Sequence, residues 1–427
     1  MQEATDRRVL FSTYYFPPGG GIGALRAYKF VKYLSEYGYE PVVYTTDRYY
    51  LNDVPPPGYS DDVSIDADIN RIRPFPSSLA GNVIDSRIHS DIVKEKLSQV
   101  CWSIRAAFRV ARDARSNNAD LLYYTGGPFI PLYFARITGA LSQTPYVVDL
   151  RDPWTLDLEY LDSHSHIAET TLESLASKIL RKIDTSLEPP VLAGSAAVIT
   201  PTERMTELYQ NRYPDIAERV HTIHNGYDTD DFNTDGATDT HYESDSFTIV
   251  YPGEFEYGRR EPDELFTALA DLSCKFDIRF EHFGPIEDEL VDLSEQYGLS
   301  DVVQFHGYTD RDEIARTLRG ADLGLLVSTG REWELSLKVF DYVACDVPIL
   351  YIGPGDETLS DFITQFTNAF ACENDQDDIK TTLSRLLSDE SPVRLSKRTD
   401  IEQYSRSSLT ETLATLFDTV LNQRTAQ

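Results

Sequence analysis

Glu334, Lys338 and Asp341 recur at i, i+4 and i+7, a spacing that would place one cation between two carboxylates on a single helical stripe. Two chemistries fit such a stripe. One is a solvated Glu-to-Lys pair, which contributes only about 0.2–0.5 kcal/mol. The other is a site for a polar ligand that uses both signs of charge. Spacing alone leaves the two equally open. Arg259 and Arg260 form a second candidate group at the entrance of a helix. Guanidinium groups suit a phosphate because they present paired N–H donors and stay charged. A third is the loop of residues 16–23 (FPPGGGIG), whose glycines let backbone N–H groups approach an anion at the start of a helix.

Each candidate needs an element to hold it. Leu335, Val339 and Val343 recur at i, i+4 and i+8, so a helix within 331–350 has an apolar stripe to pack on a sheet. Ala321 to Ser328 reads as the strand before it, and Pro348 to Ile352 as the strand after it, stopping at Gly353, Pro354 and Gly355. Strand, helix and strand make a βαβ unit, in which ligands sit beyond the carboxyl ends of the strands. Arg8 to Tyr15, the glycine loop, and a helix on Ala27, Phe30, Val31 and Leu34 form a similar opening. Gly19, Gly21 and Ala24 satisfy G-x-G-x-x-[GA], the fingerprint of dinucleotide binding. That reading wants a carboxylate after the second strand, where Asp47 is a loose candidate. Arg26, just inside the helix, adds charge to that pocket or lies on the surface.

Lys338, Asp341, Tyr342, Ala344, Pro348, Ile349 and Leu350 spell K-x-x-[E/D]-Y-x-A-x-x-x-P-I-L. This resembles the donor-binding segment of family 4-like glycosyltransferases of the two-domain GT-B fold. DLRDPW (149–154), the GGPF turn (126–129), ITPTERM (199–205) and NGYD (225–228) resemble the same group. The resemblance implies an α/β architecture of two doubly wound, Rossmann-like domains facing across a cleft. The acceptor-side domain is expected over 1–234, with a C-terminal helix at about 405–427 packing back on it, and the nucleotide-sugar domain over 235–404. Thr234 to Ser246, without apolar periodicity, reads as the linker.

The activity implied is a retaining transfer of a sugar from a nucleoside-diphosphate sugar to a hydroxyl acceptor, on a lipid-linked or protein-linked glycan. Asp341 would hold the ribose hydroxyls, and Gly20 and Gly21 would close on the donor phosphates or the acceptor. Arg259, Arg260 and Lys338 would grip the diphosphate, Arg260 and Lys338 stabilising it as it departs. Gly307 and Tyr308 would meet the base. Asp152 would serve as general base or orient the acceptor, unless it caps a turn or pairs with Arg151. The scheme needs no metal and no further cofactor. The family pattern separates two glutamates by seven intervening residues, and the first would fall on Trp333, flanked by Glu332 and Glu334. Either the loop shifts by one residue, or this chain follows the subgroup that keeps the lysine and the second acid alone. A catalytically silent nucleotide-sugar-binding protein and a GT-B-fold sugar-nucleotide epimerase are the alternatives.

Composition narrows the rest. The 427 residues suit two domains, and the net charge of −31, spread along the chain, disfavours nucleic acid as a partner. Such a charge repels itself at low salt, so a halophilic protein is expected. Cys101, Cys274, Cys345 and Cys372 are widely spaced and read as reduced thiols. With no apolar run long enough for a signal peptide or a span, the expected location is cytoplasmic, with membrane contact at most peripheral, at the inner face.

Overall fold

The computed structural model describes residues 7–19, 22–47, 65–75, 91–156, 171–232, 246–255, 262–309, 311–355, 357–388 and 401–425. The chain divides into two compact units, Met1–His224 with Leu409–Gln427, and Asn225–Ser408.

In the first unit the elements run β1 (Arg7–Ser12), α1 (Ile22–Leu34), β2 (Tyr39–Thr46), β3 (Asp68–Ile72), α2 (Asp91–Ser116), β4 (Leu121–Thr125), α3 (Ala135–Ser142), β5 (Tyr146–Asp149), α4 (Thr171–Gly194), β6 (Ala197–Thr200), α5 (Glu203–Arg212) and β7 (Val220–Thr222). The strands pair in the order β3-β2-β1-β4-β5-β6-β7, all parallel. Leu121, Leu122, Tyr123 and Tyr124 follow one another and are all buried, because helices cover both faces of the sheet. On one face Val9, Phe11, Phe30, Val31 and Leu34 share a core with Leu409, Leu413 and Phe417 of the C-terminal helix (Arg406–Thr425). The ring of Phe417 meets those of Tyr39 and Tyr123 edge-on, at 5.5 and 6.1 Å. Thr202 caps α5 by accepting the Met205 N–H at 3.2 Å.

The second unit runs β8 (Phe247–Pro252), α6 (Asp263–Ser273), β9 (Ile278–Phe283), α7 (Asp288–Gln296), β10 (Val303–Phe305), α8 (Arg311–Gly320), β11 (Leu323–Val327), α9 (Lys338–Ala344), β12 (Ile349–Ile352), α10 (Thr358–Ile363), β13 (Ala369–Cys372) and α11 (Gln376–Ser388). Its six parallel strands pair in the order β10-β9-β8-β11-β12-β13. Strand order thus reverses between β1 and β4 in one unit and between β8 and β11 in the other. At such a reversal the loops after the two strands diverge and leave room for a ligand.

Two expectations need correction. The polar, proline-containing stretch 52–76, whose composition reads as a surface loop, is not all loop: β3 lies within it and pairs with β2, while 52–64 and 76 fall outside the described residues. The helix of the 331–350 segment begins at Lys338, so Glu334 and Leu335 precede it in non-helical chain. A long helix is described over Thr171–Gly194, while 157–170 fall outside the described residues. The expected linker lies, apart from Ser246, outside the described residues. The segment after β7 already belongs to the second unit: Tyr227 exchanges main-chain hydrogen bonds with Tyr404 (3.2 Å) and Arg406 (2.8 Å) and enters that unit's core with Phe232.

Candidate active site

Because the strands of the second unit are parallel, their carboxyl ends share one edge. Gly253, Gly284, Ser328 and Gly353 each follow a strand there, and Gly307 comes two residues after β10. Lys338 opens α9 and crosses this edge. Its ammonium lies 5.0 Å from the centre of the Tyr251 ring, and its stem runs over Gly253. A Cβ at residue 253 would stand 2.1 Å from Lys338 Cε and 2.4 Å from Nζ, so glycine is what admits the lysine. The cation is thereby held at the strand-order reversal, against the loop that leaves β8.

Packing fixes α9 in turn. Val339, Phe340 and Val343 are buried, and the Tyr342 hydroxyl donates to the Leu325 carbonyl at 2.7 Å. Its ring lies on Gly324, where a Cβ would come within 2.9 Å. Asp341, half-buried in the first turn, is one helical step from Lys338. The Gly253 carbonyl accepts from His282 Nε2 at 2.8 Å. Burial pushes the His282 pKa down to about 4, partly opposed by that hydrogen bond, and the Lys338 charge lowers it further. His282 is therefore neutral and donates through Nε2 at ordinary pH.

Glu334 stands apart from the helical stripe. It accepts from the Thr329 hydroxyl at 2.6 Å, with Arg331 Nη1 3.8 Å away. It thus lines a shallow recess open to solvent, together with Ser328, Thr329, Arg331, Ser336 and Glu357. Glu357 is buried and accepts from Ser328 (2.6 Å) and Tyr351 (2.5 Å). Glu332 contributes its main-chain carbonyl to the Thr358 N–H at 3.1 Å. Of the two glutamates that flank Trp333, Glu334 is the one whose carboxylate lines this recess.

Gly307 adopts φ +72°, a left-handed conformation that glycine takes without strain, and Tyr308 beside it is 69% exposed. His306 stacks on Phe283, with ring centres 4.4 Å apart, and bonds to the buried Glu281.

In the first unit β5 ends at Asp149, whose buried carboxylate is gripped by Arg26 (Nε to Oδ2 2.8 Å, Nη2 to Oδ1 3.1 Å) and by the Tyr123 hydroxyl. Arg26 also donates to the carbonyls of Ile223 (2.8 Å) and His224 (2.9 Å). It is neither a pocket charge nor a surface residue but half of a buried ion pair. Asp152 comes three residues on, its side chain 61% exposed, with Arg151 Nε 3.2 Å from Oδ2.

Arg151 runs against the glycines at the β1/β4 reversal. A Cβ on Gly127 would lie 2.5 Å from its Nε, and one on Gly23 2.1 Å from Nη1. Trp154 anchors the segment: its ring stacks on Phe129 (5.8 Å) and Tyr133 (6.0 Å), and its indole N–H donates to Asp184 at 2.6 Å. Buried Glu188 receives the hydroxyls of Thr155, Tyr209 and Tyr213, and desolvation raises its pKa.

Of the expected site residues, the second unit holds Lys338 and Asp341 on α9 and Gly307 and Tyr308 beyond β10, and the first unit holds Asp152. Gly20, Gly21, Arg259 and Arg260 lie outside the described residues. Glu357, Ser328 and His282 carry no sequence signal of their own, since tertiary placement of a strand residue and two loop residues brings them to this edge. Among the described residues no three His, Cys, Asp or Glu side chains form a group suited to a metal, and no helix is long and apolar enough to cross a membrane.

Residues 20–231 match the model of Glycosyltransferase Family 4, and residues 239–408 that of Glycosyl transferases group 1. Comparison with curated proteins finds no match. Among solved structures, the sucrose-phosphate synthase of Thermosynechococcus elongatus is 15% identical, with TM-score 0.62 and 98% of each chain covered. Anabaena HepE in complex with UDP and glucose is 14% identical, with TM-score 0.58 and 98% of each chain covered. WaaG, a glycosyltransferase involved in lipopolysaccharide biosynthesis, is 15% identical, with TM-score 0.59, covering 96% of this chain and 95% of that one.

Proposed function

The chain belongs to the GT-B glycosyltransferases, with a family 4 half followed by a group 1 half, and on that premise we propose that it moves a sugar from a nucleoside diphosphate to a hydroxyl acceptor with retained configuration. The observation that carries this is Lys338, laid across Gly253 at the β8/β11 reversal. A chain of net charge −31 keeps a lysine there for an anion, and a diphosphate supplies one. The bond from the anomeric carbon to the diphosphate breaks, and the acceptor oxygen takes its place. Lys338, with Arg259 and Arg260, stabilises the charge that develops on the leaving group. Asp341 accepts from the ribose hydroxyls, and Gly307 and Tyr308 border the base. Asp152 takes the acceptor proton or orients the hydroxyl.

HepE was solved with UDP and glucose, which makes UDP the first donor fragment to try. Isothermal titration in molar KCl with UDP, GDP and a dinucleotide, on the native chain and on a Lys338→Ala, Asp341→Ala double variant, tests the donor site. Binding of one nucleoside diphosphate that the variant loses supports the reading. Dinucleotide binding that ignores the variant overturns it. Asp152→Asn should bind donor normally and turn over slowly; unimpaired turnover removes its assigned role.

A further inference from the structure

The segment after β5 is pinned on both sides of Asp152. Upstream, the Leu150 N–H donates to the Ile199 carbonyl at 2.8 Å, which ties the segment to the sheet. Downstream, the ties run to Asp184 and Glu188, two carboxylates that share one face of α4 at an i,i+4 step. Asp184 accepts from the Trp154 indole at 2.6 Å and from the Tyr133 hydroxyl at 2.8 Å. Glu188 accepts from the Thr155 hydroxyl and, at 3.4 Å, from the Thr155 N–H. It also accepts from the hydroxyls of Tyr209 and Tyr213, each at 2.9 Å. Tyr209 closes the circuit, because its hydroxyl oxygen accepts the Trp154 main-chain N–H at 2.8 Å.

Stability alone does not account for Glu188. Its side chain is fully buried, and among the described residues its hydrogen bonds come from three hydroxyls and one N–H, none from a cation. Desolvation raises its pKa, and the charge of Arg212 is the weakest influence in the other direction. Taking a carboxylate out of water is costly, and an apolar side chain of similar volume often serves stability as well or better. An apolar side chain does not fix direction. Glu188 does, by drawing donors from the Asp152 segment and from the end of α5 onto two oxygens.

We infer that Asp184 and Glu188 are positioning residues for the transfer, holding residues 152–155 so that the Asp152 carboxylate is presented to the acceptor hydroxyl. Neither touches the reacting atoms. With a side chain 61% exposed, Asp152 takes little orientation from packing, so its direction depends on the backbone to either side. Asp152 must act as proposed above for such positioning to matter, and the experiment separates the two.

The test uses the full chain in molar KCl. Hydrolysis of UDP-glucose or GDP-glucose, according to the base that titration selects, makes water the acceptor. The water oxygen bonds to the anomeric carbon, the diphosphate leaves, and Asp152 takes or directs the proton. Glu188→Gln keeps the volume and one acceptor oxygen. Thr155→Val unhooks the segment and leaves the carboxylate in place, so it serves even where Glu188→Gln folds poorly. Each should lower kcat about 10- to 100-fold, as a displacement of up to about 1 Å does, with nucleoside-diphosphate affinity and melting temperature unchanged. A Glu188→Gln, Asp152→Asn double variant should be no slower than Asp152→Asn alone, because the glutamate acts through the aspartate. Without any turnover, the amides of Trp154 and Thr155 should exchange hydrogen faster in Thr155→Val while global protection stays native. Native exchange at those amides overturns the inference, as do losses that multiply in the double variant. Native kcat in Thr155→Val and Glu188→Gln beside a slow Asp152→Asn overturns it too and leaves Asp152 its role. Native kcat in Asp152→Asn removes that role and the positioning with it.

Discussion

Replacing Gly253 by alanine tests the seat of Lys338 without touching the lysine. The added methyl would stand 2.1 Å from Lys338 Cε and 2.4 Å from Nζ, so the ammonium must leave the β8 loop. The displaced atoms are the free end of a flexible chain, so the fold should lose well under ~1 kcal/mol and the melting temperature should barely move. A charge-assisted hydrogen bond contributes about 1.5–3 kcal/mol net. Losing one from Lys338 to a diphosphate oxygen should therefore weaken nucleoside-diphosphate binding roughly 10- to 150-fold. Lys338→Ala should do the same, and the double variant should be no worse than either single one. Titration calorimetry of all four proteins closes the cycle. Unchanged affinity in Gly253→Ala, or single-variant losses that add within about 0.5 kcal/mol, would mean that residue 253 does not act through the lysine.

Other outcomes follow from the same geometry. Arg26→Ala leaves the Asp149 carboxylate buried without its main partner, and breaking such a pair costs about 3–5 kcal/mol, readable as a lower urea midpoint. His282 has a folded pKa pushed down to about 4 from an ordinary 6.5. The unfolded chain therefore binds the extra proton between those values, and stability should fall as pH drops through that window, by up to about 3 kcal/mol. His282→Gln should flatten this slope in denaturation curves taken from pH 7 to 4. Stability of the native chain should rise from low to molar KCl, as the Debye length shrinks from about 10 Å at 0.1 M to about 3 Å at 1 M. A melting temperature indifferent to KCl would count against the expected salt requirement.

The elements were legible because their signals are local. Continuous apolar runs marked the buried parallel strands, and Ala27, Phe30, Val31 and Leu34, all at most 1% exposed, marked the face of α1. The motif opening on Lys338, Asp341 and Tyr342 pointed to the edge where the lysine stands. Its neighbour Glu334 was misplaced because periodicity assumes that a helix continues. Here the Arg331 carbonyl, Thr329 and Arg331 hold Glu334 in non-helical chain instead, and the helix starts four residues later. β3 escaped notice because its register with β2 is a pairing between strands, not a pattern within DINRI.

What the sequence determined by itself was the alternation of strand and helix, the two-part organisation, the family motifs and the charge. Each depends on composition or on residues within a few turns of one another. Tertiary structure alone decided which of these residues meet. Arg26 looked free to serve a pocket until Asp149, 123 positions away, claimed its guanidinium. Gly253 appeared to be one loop glycine among many until Lys338 crossed it. Contacts of this kind arise from the order of strands in a sheet, and that order is set by the global burial of apolar surface rather than by any short stretch of chain.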